Sequence, residues 1–213
     1  MTTIVGRNVK VEVALTFASA VSPTACTKAN PAVGTLTSHT LSDNDVGYWT
    51  VTSGMVELDG QAVHIMDTSA NTFTMNGLDT TQYSTYASGT LTPASTWGTL
   101  SEAASYAVGG GAANALDDTR LLDVKTRNVA GLLAPQDITI DVRNGVAHGA
   151  AMAFIEAAAR NSTSCLFRIS QGPTVLRVYY GVPSVPGESL QAGALATGQF
   201  NVLGAGWAVK PNL

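Results

Sequence analysis

The clearest pattern in the chain is a regular alternation of large apolar side chains with polar or small ones close to its start. Apolar residues occupy every second position there, namely Val9, Val11, Val13, Leu15 and Phe17. Successive side chains of a β-strand point to opposite faces, so this period of two predicts a strand with one buried face. The same alternation at Ile138, Ile140 and Val142 predicts a second such strand.

Residues 23–96 have a different texture, in which turn-forming residues separate short apolar runs. The runs are Val33–Leu36, Val46–Val51, Ala62–Met66 and Thr72–Met75. Asp59-Gly60 and Asn76-Gly77 favour the positive φ angles of tight hairpins, and the spacing predicts a small antiparallel β-barrel or sandwich. This segment has one basic and six acidic residues, a net charge of −5, against +1 for the rest of the chain. The shift in charge predicts a separate module.

One helix is predicted, at Ala150–Arg160, where an Ala-rich stretch carries an apolar stripe. Further strands are predicted at Cys165–Ser170, Val175–Tyr180 and Leu195–Val202. The predicted fold is therefore mainly β. Residues 1–22 and 97–213 would form a β-sandwich or barrel with one packed α-helix, and residues 23–96 would be an inserted small antiparallel β-barrel.

A long irregular loop is predicted between Gly109 and Pro135. Its charged residues are Asp117, Asp118, Arg120, Asp123, Lys125 and Arg127. A loop of this length inside a compact domain usually has a function of its own.

Composition narrows the possible functions. Only 12% of the residues are charged, which suits a chain that buries much of its surface against copies of itself. The net charge of −4 and the absence of a Lys/Arg cluster argue against a protein that binds nucleic acid tightly. No signal peptide or membrane-spanning stretch is expected. Cys26 and Cys165 are predicted to be free, buried thiols of a reducing compartment.

No catalytic, cofactor-binding or metal site is predicted. His39, His64 and His148 each lack a partner at metal-ligand spacing. Gly187-Glu188-Ser189 begins like a nucleophile elbow, but no glycine follows two residues after the serine. We therefore expect a protein with no enzymatic activity, no cofactor and no bound metal.

Two family resemblances cover most of the chain. Within residues 25–87, the motifs are Ala29-Asn30-Pro31, Thr37-Ser38-His39, Gly54–Gln61 and Gly77–Thr81. This segment resembles the small β-barrel module of ubiquitin-activating enzymes, which also occurs inserted in phage structural proteins. The flanking body resembles phage tail tube proteins at Val11–Ala14, Trp97–Leu100, Leu132–Gln136, Ala157–Arg160 and Pro183–Ser189.

The second resemblance implies the major tail tube protein of a long-tailed bacteriophage. Such subunits form hexameric rings that stack into a hollow tube. Double-stranded DNA would pass through the lumen without sequence-specific binding, and a tape-measure protein would occupy the lumen before ejection. Tail-terminator and tail-tip proteins would be further partners, with no membrane involved. The protein would belong to the virion tail after assembly in the host cytoplasm.

The resemblance also suggests roles for particular residues. The residues expected to face the lumen are Lys10, Glu12, Thr139, Asp141, Thr197, Gln199 and Asn201. The charged loop residues Asp117, Asp118, Arg120, Asp123, Lys125 and Arg127 are expected to contact the next ring. The acidic module would project outside and keep neighbouring particles apart, which favours a non-contractile tail.

The alternative interpretation is a tail-tip or baseplate binding protein whose inserted module contacts the host surface. It predicts a cluster of aromatic residues on that module, for which Tyr48, Trp49, Tyr83 and Tyr86 are candidates. The same residues can equally form the core of the module.

Overall fold

The computed structural model describes residues 8–109, 113–121, 124–133, 136–143, 149–190, 195–204 and 209–211. In the first half, the strands are β1 (Val9–Phe17), β2 (Ala25–Cys26), β3 (Ala32–Thr35), β4 (Val46–Ser53), β5 (Ala62–Met66), β6 (Thr72–Met75) and β7 (Ser88–Thr99). In the second half, they are β8 (Ala103–Val108), β9 (Ala113–Asp117), β10 (Asn128–Leu133), β11 (Asp137–Arg143), β12 (Cys165–Gln171), β13 (Thr174–Pro183) and β14 (Thr197–Gly204). A 3₁₀ turn covers Val56–Leu58, and the helix α1 covers Ala150–Arg160. The prediction of a mainly β protein with one helix is confirmed.

Twelve of these strands form one sheet, in the order β2-β3-β6-β5-β4-β7-β1-β12-β13-β14-β11-β8, and β9 pairs only with β10. The long strand β7 joins the two parts of the sheet, because its first half pairs with β4 and its second half with β1. The boundary expected between residues 96 and 97 therefore lies inside one continuous strand.

The sheet curls into a half-barrel. Strands β1 and β8 are five positions apart in the strand order. A flat sheet would separate them by about 24 Å, at about 4.8 Å per strand. Instead, Val9 and Val11 of β1 line the same cleft as Ala103 and Tyr106 of β8.

The main core lies inside this curl. Phe167 of β12 and Phe200 of β14 lie on strands separated by β13, and their ring centroids are 6.5 Å apart. Met152 and Ile155 of α1 pack into the same cluster. Apolar residues at alternate positions of β1 and β11 reach this core, so the alternation in the sequence marks the inward face of each strand.

Helix α1 begins where a carboxylate meets its first turn. Glu102 Oε1 accepts a hydrogen bond from the backbone N–H of Gly149 at 2.6 Å. A negative charge near a helix N-terminus is favourable because unpaired N–H groups point towards it. Glu156 and Arg160, four residues apart on the helix, form an ion pair at 3.7 Å.

A second core joins residues 23–96 to the outer face of the sheet. Trp49 and Phe73 are fully buried in it, together with Leu166 of β12 and Val178 of β13. Val209, near the end of the chain, also belongs to this cluster and forms a bridge with Val178. The segment therefore packs against the outside of the half-barrel.

Some predicted elements require correction. The stretch from Gly109 to Pro135 is not an irregular loop throughout, because β9 and β10 form a hairpin within it. The last strand covers Thr197–Gly204 and not Leu195–Val202. Strands β7 and β8 were not predicted, since their small and polar residues show no sustained alternation of large apolar side chains.

Candidate assembly surfaces

The outer face of β8, β11 and β14 is polar and largely open to solvent. The register pairs Thr139 with Asn201 and Asp141 with Gln199. Thr139 Oγ1 donates a hydrogen bond to Asn201 Oδ1 at 2.9 Å, and the hydroxyl of Ser105 donates to the carboxylate of Asp141. Paired residues of neighbouring strands point to the same face. Five predicted lumen residues therefore share this surface, namely Thr139, Asp141, Thr197, Gln199 and Asn201.

Lys10 and Glu12, the other two predicted lumen residues, lie on β1, where residues 23–96 approach the sheet. Lys10 is exposed, but only 9% of Glu12 is accessible to solvent. Glu12 Oε2 accepts hydrogen bonds from Arg168 Nε at 2.8 Å and from Ser170 Oγ at 3.2 Å. The Arg168 guanidinium lies 4.2 Å from the ring centroid of Trp97. The carboxylate of Glu12 is thus part of a polar junction beneath the segment.

The hairpin of β9 and β10, called the arm here (residues 113–133), carries large apolar side chains that pack poorly within this chain. Leu116 and Val129 are directly paired across it, and they are 57% and 51% exposed. At its tip, Leu121 and Val124 are 106% and 98% exposed. Burial of such side chains is strongly favourable, and exposed apolar patches of this kind mark protein–protein contacts. The arm is therefore a candidate contact surface.

The charged residues predicted for ring stacking lie on or beside the arm's turn. Those within the described residues are Asp117, Asp118, Arg120, Lys125 and Arg127, whereas Asp123 lies outside them. Asp117 accepts hydrogen bonds from the hydroxyl and backbone N–H of Thr119, which lower the pKa of its carboxyl. The charges of the arm are recognisable from the sequence, but its four exposed apolar residues were not predicted. Periodicity arises when apolar residues are restricted to the buried face of an element. The arm has no face that is buried within one subunit, so its apolar residues follow no period.

Most acidic side chains in the segment 23–96 accept hydrogen bonds from nearby residues. Asp43 Oδ1 accepts from the backbone N–H and the hydroxyl of Thr68, each at 2.9 Å, and the pKa of Asp43 is lowered as a result. Glu57 accepts in the same way from Ser84, and its pKa is also lowered. Similar acceptors are Asp45, Asp59 and Asp79. These carboxylates organise turns as well as setting the charge of the surface.

The described histidines do not form a site. His39 Nε2 lies 3.2 Å from the carbonyl oxygen of Thr72, and its ring meets Phe73 edge-on. His64 is only 4% exposed, and neither ring nitrogen has a hydrogen-bond partner among the described residues. Burial lowers the pKa of His64 below its ordinary value. His148 lies outside the described residues.

The aromatic residues of the segment are mostly internal. Trp49 is fully buried and packs edge-on against Tyr86, with centroids 5.7 Å apart. Tyr48 stacks on Tyr180 of β13 at 4.2 Å and thereby helps to join the segment to the sheet. The buried ring of Trp49 is unavailable as a platform for a host ligand, contrary to what the alternative interpretation would require.

No group of three potential metal ligands occurs among the described residues. The stretch Gly187-Glu188-Ser189 runs beside β14, where the N–H groups of Gly187 and Ser189 donate to the carbonyls of Gln199 and Thr197 at 2.9 and 2.7 Å. This extended backbone differs from the sharp strand-to-helix turn of a nucleophile elbow. In the part of the chain that the structure describes, no helix is long and apolar enough to cross a membrane.

Comparison with known proteins identifies the family of this chain. No curated protein matches the chain. Residues 53–184, more than half of the chain, match the family described as phage tail tube protein, TTP. The match begins within the segment predicted to be an insertion and continues through the arm, α1 and most of the half-barrel. The chain therefore belongs to the phage tail tube protein family, and it is a structural protein of the virion tail that assembles into a tube.

Proposed function

We propose that the chain forms hexameric rings that stack into a tail tube, and that double-stranded DNA passes through this tube during ejection. The observation that supports this most strongly is the contrast between the two outer surfaces of the half-barrel. One outer surface, on β8, β11 and β14, is polar and open. The other, on β1, β12 and β13, is covered by residues 23–96.

The open surface is the part that would line the lumen. Its hydroxyl, amide and carboxylate groups include Thr139, Asp141 and Gln199. Tight binding to DNA requires basic side chains that neutralise phosphates. Arg143, which pairs with Thr197, is the single basic residue on β8, β11 and β14, against the carboxylates of Asp137 and Asp141. A lining with so little positive charge would let DNA pass without being held. Lys10 lies on the same face of the sheet but near the covered half, and Glu12 belongs to the buried junction.

Residues 23–96 would form the outer surface of the tube. In this arrangement, the segment covers the side of the half-barrel that faces away from the lumen. Its acidic surface would limit association between neighbouring particles. A contractile sheath would have to fit around each segment, so the proposal favours a non-contractile tail.

The arm would contact the next ring. Its separate two-stranded sheet and its exposed apolar residues suit a contact that forms only on assembly. A tape-measure protein in the lumen, a tail terminator at one end and tail-tip proteins at the other would complete the set of partners.

Electron microscopy of the purified chain at increasing concentration tests this proposal. We expect six-fold rings or hollow tubes with a regular axial repeat. A chain that stays monomeric, even when supplied with a tape-measure protein, would contradict it and favour a binding protein of the tail tip.

Limited trypsin digestion tests the role of the arm separately. Trypsin cleaves after basic residues, and Arg120, Lys125 and Arg127 are exposed near the tip. We expect rapid cleavage there in the free subunit and protection in tubes. Cleavage at equal rates in both states would exclude the arm from the contact, while six-fold tubes in the microscope would still support the rest of the proposal.

A further inference from the structure

Among the described residues, most of the exposed large apolar side chains lie in two places. The arm carries Leu116, Leu121, Val124 and Val129. A second group lies on the C-terminal hairpin, defined here as residues 183–190 and 195–204, which run side by side. The N–H groups of Ser184 and Ser189 donate to β14 carbonyls at 2.7 Å. Val185, Leu190 and Leu195 of this hairpin are 58%, 74% and 71% exposed.

We propose that the tip of the arm docks on the C-terminal hairpin of a second copy of this chain, where Leu121 and Val124 pack against Val185, Leu190 and Leu195. The inference rests on the proposed function, since it names the surface that receives the arm when rings stack. Soluble chains rarely leave two such groups uncovered, and burying each against the other would remove both from water.

Charged side chains lie beside both apolar groups. Basic side chains flank the arm's tip, namely Arg120, Lys125 and Arg127, next to Asp118 and to Asp117, whose carboxylate accepts hydrogen bonds from Thr119. The C-terminal hairpin contains a single charged residue, Glu188, which is exposed between Val185 and Leu190. Opposite charges around an apolar contact fix its register and exclude wrong pairings.

The occupant is a second copy because the two surfaces differ and lie on the same chain. An interface between two different surfaces of identical subunits is heterologous, and repetition of such a contact extends an assembly. Rings can stack into a tube only through contacts that extend the assembly, and the family to which this chain belongs assembles into a tube.

Disulfide trapping between two single variants tests this contact. Leu121→Cys is made in a chain with a size tag, and Leu190→Cys is made in an untagged chain. Both positions are exposed, so neither change should affect folding strongly. The variants are mixed, assembled and oxidised. We expect a mixed dimer on a non-reducing gel, since a disulfide forms only between nearby cysteines.

Val56→Cys provides the matched control, because Val56 is 62% exposed but belongs to the 3₁₀ turn within residues 23–96 and to neither group. Tubes that form with no more cross-linking between positions 121 and 190 than between 121 and 56 would overturn this inference while leaving the proposed function intact. Failure of the wild-type chain to form any ring or tube would overturn both.

Charge exchange provides an independent test. Glu188→Lys should raise the protein concentration needed for tube formation by roughly three- to tenfold, because it places like charges in the contact. Lys125→Glu in the same chain should restore most of the loss. An unchanged threshold in Glu188→Lys, or no recovery in the double variant, would exclude the proposed pairing of the two surfaces.

Discussion

The Nε of Arg168 donates a hydrogen bond to Oε2 of Glu12 at 2.8 Å, and this contact joins two residues that are 156 positions apart in the chain. Both side chains are largely removed from solvent. Arg168 of β12 also packs on Trp97 of β7, so one guanidinium contacts side chains from β1 and from β7, the two strands that precede β12 in the sheet.

Removal of Glu12 should therefore be costly. Glu12→Ala leaves a largely buried guanidinium without its carboxylate, and we expect the free energy of unfolding to fall by about 3 kcal/mol. Glu156→Ala is the matched control, since its pair with Arg160 is a helical surface pair at 3.7 Å, and it should cost at most about 0.5 kcal/mol. Urea denaturation measures both. Equal losses in the two variants would show that the junction adds nothing beyond a surface pair.

His64 should make the stability of the protein depend on pH. Burial is the main reason that its pKa is lowered from 6.5; Arg168 lowers it further, and Asp43 raises it. The unfolded chain thus takes up a proton at a higher pH than the folded chain does. The free energy of unfolding should be greatest above pH 6.5 and should fall as the pH drops below it.

The variant His64→Leu isolates this effect. Thermal unfolding is measured from about pH 7.5 to 5, which stays above the ordinary carboxyl range. The wild-type melting temperature should fall across this interval, and that of the variant should fall less. Parallel curves for the two proteins would assign the pH dependence to other groups.

The sequence predicted the parts of this fold in which one face of an element is buried. Strand β1 and helix α1 have the predicted bounds, because the main core fixes which of their side chains are apolar. Strand β7 escaped prediction, since it consists mostly of small and polar residues and includes Pro93. The arm escaped as well, because neither of its faces is buried within one subunit.

The alternation of apolar and polar residues predicts only part of the assembly surfaces. It correctly grouped Thr139 with Asp141 and Gln199 with Asn201, but it could not show that β11 and β14 are neighbours. Nor could it distinguish exposed Asp141 from buried Glu12, although both are polar residues that alternate with apolar ones. That difference arises from residues 23–96, which cover only one half of the outer surface.

Gly77 is the position where the chain's last described residues are held against residues 23–96. Its φ is +79°, and an added Cβ would lie 2.2 Å from the carbonyl oxygen of Lys210. Gly77→Ala should lower the free energy of unfolding by about 2 to 4 kcal/mol, from backbone strain and displacement of Lys210. Gly172→Ala, at φ +60° with open space around it, should cost only about 1 kcal/mol. Equal losses in the two variants, measured by chemical denaturation, would mean that the packing at Lys210 contributes no stability.

The proposed orientation of the half-barrel predicts different chemical accessibility on its two outer sides. Gln199→Cys would place a thiol on the open polar face, and Val56→Cys would place one on residues 23–96. In tubes, both should react with a small maleimide. A bulky maleimide polymer should modify Val56→Cys, but it should modify Gln199→Cys only near tube ends, because the lumen would exclude it.

The native thiols should contribute little background to this measurement. Burial raises the pKa of Cys26 to about 11 and that of Cys165 to about 12, and the thiolate is the reactive form. Free subunits provide the reference, since both introduced thiols should then react with the bulky reagent. If tubes protect Val56→Cys and leave Gln199→Cys fully reactive, residues 23–96 must face the lumen or another buried contact, and the orientation would be reversed. If both remain reactive, the polar face lies on the tube exterior, and DNA must pass along a different surface.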